Sequence, residues 1–225
     1  MKQFFGLDES SLEYSFDAGN HRLLPAVNQA LFALQEQAIK VGFKLTLASS
    51  YRNYEAQLRI WNEKVSQLRP VLDDSGNTVS LDSLSEIDQI KAIMRFSALP
   101  GLSRHHWGTD MDVYDLCHLP EGYQVQLTPQ ECLAGGVMAT FHDWLGTVLA
   151  NFDFYRPYAS DCGGVSPEMW HISFAPAAAE FTALASYEHC LRFLQGHRAE
   201  IALSGSVIDN FTGLYPQFIE PSLTV

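Results

Sequence analysis

The chain has 225 residues, 47% hydrophobic and 18% charged, a balance that suits one globular domain over residues 1–225 and excludes disorder, collagen-like repeats and coiled coil. Twenty-six acidic residues against fourteen basic leave a formal charge of −12, which repels polyphosphate and anionic lipid and argues against a nucleic-acid partner. No apolar run reaches the ~18 residues of a membrane span, and Met1 to Ser10 meets acidic residues before any signal-peptide stretch forms. The expectation is therefore a cytoplasmic protein, or an exported one whose leader has been removed.

In chain order, Leu24, Val27, Leu31, Leu34, Ala38 and Val41 recur at helical spacing, so residues 23–41 are expected to form an amphipathic helix ended at Gly42. Phe43, Leu45 and Leu47 then alternate with Lys44, Thr46 and Ala48 as a strand, which breaks over Ser49 to Asn53 before a second helix to about Val65. Arg52 falls at that strand-to-helix corner. Residues 66–83 contain Pro70 and an Asp-Ser-Gly-Asn turn and have no helical period, which predicts a loop or small hairpin and a flexible rim. Ile87, Ile90 and Met94 mark a third helix that stops before Pro100-Gly101.

Thr109 to Asp115 is expected to be a strand, with Met111 and Val113 on one face and Asp110 and Asp112 on the other. Tyr123, Val125 and Leu127 alternate as a further strand, and Thr128-Pro129-Gln130-Glu131 is a capping box that opens a helix. Gly135-Gly136 interrupts that helix, and Val137, Phe141, Trp144 and Val148 resume its apolar stripe to about Asn151. Glu168 to Phe174 is a short aromatic strand, followed by a helix from about Pro176 to Gln195 closed by Gly196. Val207, Ile208, Phe211, Leu214 and Tyr215 supply enough apolar surface for a final docked helix or a dimer contact. The whole is an α+β fold, a small antiparallel sheet flanked by helices.

Cys117, Cys132, Cys162 and Cys190 contain no C-x-x-C pair, which leaves neither a zinc ribbon nor a thioredoxin-like motif; they are expected to be reduced core thiols. His21, His118, His142, His189 and His197 stand in ordinary surface or partly buried contexts. The stretch Ser103-Arg104-His105-His106-Trp107-Gly108-Thr109-Asp110-Met111-Asp112 differs, because it delivers a histidine on a glycine-punctuated loop towards a carboxylate on the next strand. Glu168-Met169-Trp170-His171 adds a carboxylate and an imidazole three residues apart. Two imidazoles and a carboxylate, with a fourth position left to water, form the ligand set of a catalytic zinc. The competing interpretation is a pair of core histidines and a salt-bridged aspartate.

The pattern S-x-H-x-x-G-x-(A/D)-x-D followed by E-x-W-H resembles the zinc D-alanyl-D-alanine peptidases. These comprise VanY-type carboxypeptidases and VanX-type dipeptidases, in a wider group with lysostaphin-type endopeptidases and the hedgehog signalling domain. A third block, Ala48-Ser49-Ser50-Tyr51-Arg52-Asn53 with Gln57, is similar to that family's S-G-Y-R-S…Q segment, and the three blocks span residues 48–174 in the family's order. The resemblance implies a hedgehog/D,D-peptidase-like fold with one Zn2+ per chain, held by His105, Asp112 and His171. It implies Glu168 as general base and Arg52 as the group that binds the scissile carbonyl oxygen.

Gln57, Ser103, Trp107, Trp170 and Asp110 are the candidate substrate-binding residues, with Asp110 read first as a partner of a metal ligand. His106 beside His105 is a decoy that would change the ligand set if the loop were shifted by one residue. Asp110 stands where the family usually has a small residue, Met169 where it has proline, and Ser173-Phe174 where an arginine-tyrosine pair is common. The implied activity is removal of a terminal D-alanine from peptidoglycan stem peptides or their precursors, with a peptide bearing a D-amino acid terminus as partner. The alternatives are a D-Ala-D-Ala dipeptidase, a cross-link endopeptidase, or a zinc module that binds without catalysis.

Overall fold

Four strands pair antiparallel in the order β3-β4-β6-β5, where β3 is Leu45–Ser49, β4 is Asp110–Asp115, β5 is Phe154–Tyr155 and β6 is His171–Phe174. The computed structural model describes residues 1–16 and 19–223. A two-stranded ribbon of β1 (Glu13–Tyr14) and β2 (Arg22–Leu23) precedes the sheet. Helices α1 (Pro25–Lys40) and α2 (Tyr54–Val65) flank β3, and α3 (Glu86–Met94) follows. Helices α4 (Pro129–Cys132) and α5 (Ala139–Val148) lie between β4 and β5. After β6 come α6 (Ala175–Thr182), α7 (Tyr187–Gly196), α8 (Ser204–Asp209) and α9 (Phe211–Leu214).

The two-residue period of the strands divides the sheet into an oily and a polar face. Leu45, Leu47, Met111, Val113, Ile172 and Phe174 share a core with Val27, Leu31 and Leu34 of α1 and with Phe141 and Leu145 of α5. Asp110, Asp112, His171 and Ser173 alternate with them and point the other way. A second core joins α2 and α3 to the C-terminal helices through Trp61, Ile90, Ile93, Phe193, Phe211 and Leu214. The polar face of the sheet is therefore covered by a helical layer, and the buried polar groups between them must satisfy one another.

Most boundaries follow local signals. Pro25 opens α1, Asn53 caps α2 by accepting the Ala56 N–H at 2.9 Å, and Gly42 at φ +94° lets the chain turn back into β3. Residues 123–127, expected as a strand, form none. Instead the Glu131 carboxylate accepts from the Tyr123 hydroxyl at 2.7 Å, the Gln126 N–H at 2.9 Å and the Thr128 N–H at 3.0 Å, so these donors need no neighbouring strand.

The expected helix over 176–195 is two helices. Ser186 caps α7 by accepting the His189 N–H, and Tyr215 donates its hydroxyl to the Ala185 carbonyl at 2.6 Å in the gap between them. The strand expected from Glu168 begins only at His171, because residues 168–171 turn. β1, β2 and β5 are two residues long, too short to leave a periodic trace. Residues 66–83 carry an isolated Leu72–Thr78 bridge and bury Val71 and Leu81, while Arg95 grips Asp74 from below at 2.7 Å.

Of the cysteines, Cys132 and Cys190 are buried but Cys117 and Cys162 are exposed, and all four are free thiols, so only two are core residues. His142 is fully buried rather than superficial. Beyond α9 the chain continues through turns at Tyr215–Ile219 and Glu220–Leu223 that pack on the helical layer. Among the described residues no helix is long and apolar enough to cross a membrane.

Candidate metal centre

Antiparallel register brings the first two candidate ligands together: Asp112 of β4 stands directly opposite His171 of β6, and Asp110 directly opposite Ser173. Directly opposed side chains on one face have Cβ atoms about 4.5–5.5 Å apart, close enough for both to meet one ion. His105 arrives from the 3₁₀ turn Arg104–Trp107, which ends at Gly108 in the left-handed region (φ 73°). The left-handed backbone favours glycine there, and a Cβ would in addition displace the tip of the Leu12 side chain, 2.4 Å away. One ligand atom from each of His105, Asp112 and His171 lies within 4.8 Å of the others, and all three residues are buried.

The imidazole tautomers follow from the outer contacts. His105 donates Nδ1–H to the Ser50 carbonyl at 2.8 Å, which leaves the lone pair of Nε2 facing Asp112 Oδ2 at 3.5 Å. His171 donates Nε2–H to Asp110 Oδ1 at 2.9 Å, which leaves Nδ1 facing Asp112 Oδ1 at 3.2 Å and Glu168 Oε2 at 3.5 Å. Asp112 Oδ1 is buried and forms no hydrogen bond among the described residues. Two nitrogen lone pairs and a carboxylate oxygen thus converge on one point, an arrangement that repels itself unless a cation lies between them. The residues fit a divalent metal of the zinc type, and each imidazole has the oriented partner that such ligands need.

The electrostatics agree with that donor set. Burial lowers the pKa of His105 to about 4, keeping it neutral. Burial would raise the Asp112 carboxyl, but His105, His171 and Arg52 outweigh it and lower the value to about 2. Burial also opposes a charge on His171, yet Asp110, Asp112 and Glu168 together raise it well above the ordinary histidine value. The site accordingly attracts positive charge, as a proton on His171 or as a metal ion that displaces it.

Behind the ligands lies a closed polar network that the sequence does not announce. Asp110 accepts from Arg104 Nε at 2.7 Å, from the Thr109 hydroxyl at 2.5 Å and from the Ser173 hydroxyl at 3.0 Å, besides His171. Arg104 is also fully buried. It donates to Ser173 Oγ at 2.8 Å, to the Tyr155 hydroxyl at 2.7 Å and to the Ser222 carbonyl at 2.6 Å, tying the C-terminal turn to the metal ligands. Asp110 is therefore no substrate anchor: its carboxylate is wholly enclosed and spent on orienting His171.

We expect Asp110→Asn to weaken metal binding by about 10–100-fold, since the His171 tautomer loses its charged acceptor. It should also destabilise the fold by about 3–5 kcal/mol, because the Arg104 guanidinium is left without its counter-charge. Metal titration and thermal unfolding measure the two effects, and wild-type values for both would refute the assignment.

A cavity of about 500 Å³ opens over this site, with Arg52, Ser103, Tyr158, Glu168 and Trp170 among its lining residues. Residues 168–171 form a turn, with the His171 N–H donated to the Glu168 carbonyl at 3.2 Å, which swings the Glu168 carboxylate alongside the ligands. Burial raises its pKa, against the pull of His171 and Arg52. Arg52 donates Nη1–H to Gln57 Oε1 at 2.7 Å and Nη2–H to Ser49 Oγ at 3.3 Å, and its own N–H to the His105 carbonyl at 3.1 Å. His106 is a strap rather than a ligand. Its Nδ1–H is donated to the Arg52 carbonyl at 2.5 Å and its Nε2 accepts the Gly101 N–H at 3.2 Å, while burial lowers its pKa to about 3.

Two further candidate substrate contacts are relocated. Gln57 is fully buried and outside the cavity lining, with Nε2 donating to the Ala98 carbonyl at 2.7 Å, so it holds Arg52 rather than substrate. Trp107 is core: it stacks on Phe4 and Phe181 and lies under the Arg104 guanidinium, 4.4 Å from its ring centre. Ser103 and Trp170 remain at the cavity. The sequence reading missed Arg104, Ser50, Tyr158 and the C-terminal Phe218 and Ile219, which also line the cavity or hold the ligands. Arg104 adjoins a ligand in the chain, but its partners lie up to 118 residues away.

The sequence profile of VanY, D-alanyl-D-alanine carboxypeptidase, matches residues 20–177. Two uncharacterized proteins of Haemophilus influenzae are 44% identical over 82 residues and 41% over 78. Those matches cover 36% and 34% of this chain, and 56% and 60% of the relatives, so the chain spans less than two thirds of either. Among solved structures, a vancomycin resistance D,D-pentapeptidase VanY in complex with Zn(II) has a TM-score of 0.53 at 24% identity, covering 77% of this chain and 82% of that one. VanYB in complex with D-alanine-D-alanine has 0.53 at 22% identity, covering 80% and 87%. The LdcB LD-carboxypeptidase has 0.52 at 21%, covering 77% and 73%. These likenesses establish the fold, and the profile match over most of the chain establishes the family: the protein belongs to the VanY D-alanyl-D-alanine carboxypeptidases.

Proposed function

We propose that this protein is a zinc-dependent D,D-carboxypeptidase that removes the terminal D-alanine from peptidoglycan stem peptides or their precursors. The observation that carries the reading is the convergence of His105 Nε2, His171 Nδ1 and the Asp112 carboxylate on the floor of a cavity that also presents Glu168 and Arg52. The VanY profile match and the Zn(II) and D-Ala-D-Ala complexes of similar folds support the choice of metal and substrate.

His105, Asp112 and His171 would hold the zinc ion, whose Lewis acidity would bring the pKa of water from ~15.7 towards ~7. The chain's own residues do the rest. Glu168, beside the ligands, takes the proton of the attacking water and delivers it to the leaving amine. Arg52 holds its guanidinium in place through Gln57 and Ser49 and binds the carbonyl oxygen as negative charge develops there. Burial lowers the pKa of Arg52 against the field of Asp112 and Glu168, and a guanidinium at such a site stays charged.

A dipeptidase must anchor the substrate's free amine close to the metal, and Asp110, the extra carboxylate of the strand, is sealed behind His171. That favours the carboxypeptidase. A module that only binds zinc has no use for a base and a carbonyl-binding arginine facing one cavity. The test is mass spectrometry of products after incubating the zinc-loaded protein with muropeptides ending in D-Ala-D-Ala and, separately, with the free dipeptide. Loss of one terminal D-alanine is expected. Cleavage of the dipeptide alone would replace the reading with a dipeptidase, and no cleavage with zinc bound would replace it with a peptidase for another bond, such as a cross-link, or with a binding module.

A further inference from the structure

The cavity holds a second cation that the proposed chemistry leaves unused. Lys64, in the last turn of α2, is only 9% exposed and lines the same cavity as His105, Asp112 and Glu168. Its ammonium has three donors, and among the described residues it makes one hydrogen bond, to the neutral Ser97 Oγ at 2.7 Å. Arg69, also at the cavity, is already paired with Glu63 at 3.2 Å on the exposed side. Burial lowers the Lys64 pKa to about 8, helped by Arg69 and Arg52 and opposed by Glu168, so the group is still largely charged at neutral pH and lies within electrostatic reach of the catalytic residues.

A buried ammonium is normally matched by a carboxylate, since an unpaired buried charge is costly. In a chain with twelve more negative than positive charges such a partner was easy to supply, and a serine hydroxyl stands there instead. An anion entering from the cavity would supply the missing counter-charge.

We propose that Lys64, steadied by Ser97, is the residue of this chain that pairs with the C-terminal carboxylate of the substrate. The inference rests on the carboxypeptidase reading: the terminal carboxylate is one residue beyond the scissile carbonyl, and Lys64 lines the same cavity as Arg52 and the ligands, within the electrostatic reach of Arg52 and Glu168. A carboxylate on a substrate side chain has the same chemistry, and the probes below contain none.

The experiment uses the zinc-loaded Glu168→Gln protein, whose slowed turnover leaves time to measure binding, with and without Lys64→Met. Calorimetry compares N-acetyl-D-Ala-D-Ala with its C-terminal amide. The acid should bind Glu168→Gln at least ~10-fold more tightly than the amide, the scale of one charge-assisted contact. Lys64→Met should erase that preference by weakening the acid alone. Equal affinities in the single variant, or an intact preference in the double variant, would overturn the proposal. Lys64→Gln serves if the methionine variant does not fold. Hydrolysis by the wild type is read separately: acid preference without turnover retires the peptidase and keeps the anchor, whereas turnover without acid preference does the reverse.

Discussion

Glu168→Gln is expected to lower kcat by about 10²–10⁴-fold while leaving one zinc per chain, the range that a positioned general base contributes. In barrier terms that is about 2.7–5.4 kcal/mol at 1.36 kcal/mol per tenfold. The reason lies in the geometry. Glu168 Oε2 stands 3.5 Å from His171 Nδ1, beside the ligands and facing the cavity, while the convergent metal donors come from His105, Asp112 and His171. Glutamine keeps the volume and the turn at 168–171 and removes only the ability to accept a proton.

The pH profile gives a second readout of the same residue. Burial raises the Glu168 pKa, so the base is lost by protonation as pH falls through a value above the ordinary carboxylate range. The acidic limb of kcat/KM should lie correspondingly high in the wild type and be absent from the residual activity of the variant. Loss of zinc along with activity would instead make Glu168 a ligand, and retained activity would remove it from the mechanism.

Asp112→Ala is expected to abolish stoichiometric zinc binding at neutral pH, weakening affinity by more than the ~10–100-fold associated with partners of the ligands. It removes the only anion among the three convergent ligands and leaves two neutral imidazole nitrogens. The effect is visible without any substrate. A ligand that binds only the native state stabilises it by about 4.1 kcal/mol at a thousand times its Kd, and a domain of this size gains roughly 2–4 °C per kcal/mol. Zinc should thus raise the melting temperature of the wild type by roughly 8–16 °C under those conditions and leave Asp112→Ala unmoved. A variant that still takes up a full equivalent of tightly held zinc would overturn the ligand set.

The helices and central strands of this protein are legible in its sequence because their signals are local. The apolar spacing of α1, the break over Ser49 to Asn53 before α2, and the alternation of β4 act over one or two turns of chain. The three-block pattern likewise marks His105, Asp112, His171, Glu168 and Arg52 by residue type and order. Where a side chain supplied what a neighbouring strand would have supplied, as Glu131 does for residues 123–127, the alternation alone misled. The break between α6 and α7 had the same origin, since a tyrosine from thirty residues further on occupies it.

What only the tertiary structure decided is how groups distant in sequence spend their hydrogen bonds. Asp110 and Asp112 share a strand face and differ by one alternation, yet one is enclosed by Arg104, Thr109, Ser173 and His171 while the other keeps an oxygen free for the metal. Trp107 and Trp170 both flank a ligand in sequence, and packing sends one into the core and the other to the cavity. Lys64 and Ser97 meet across 33 residues with no motif to announce them. Residue type and spacing specify which chemistry the chain can carry. Burial and strand register specify which of those residues are free to perform it, because a polar group shut away from water must first satisfy its neighbours.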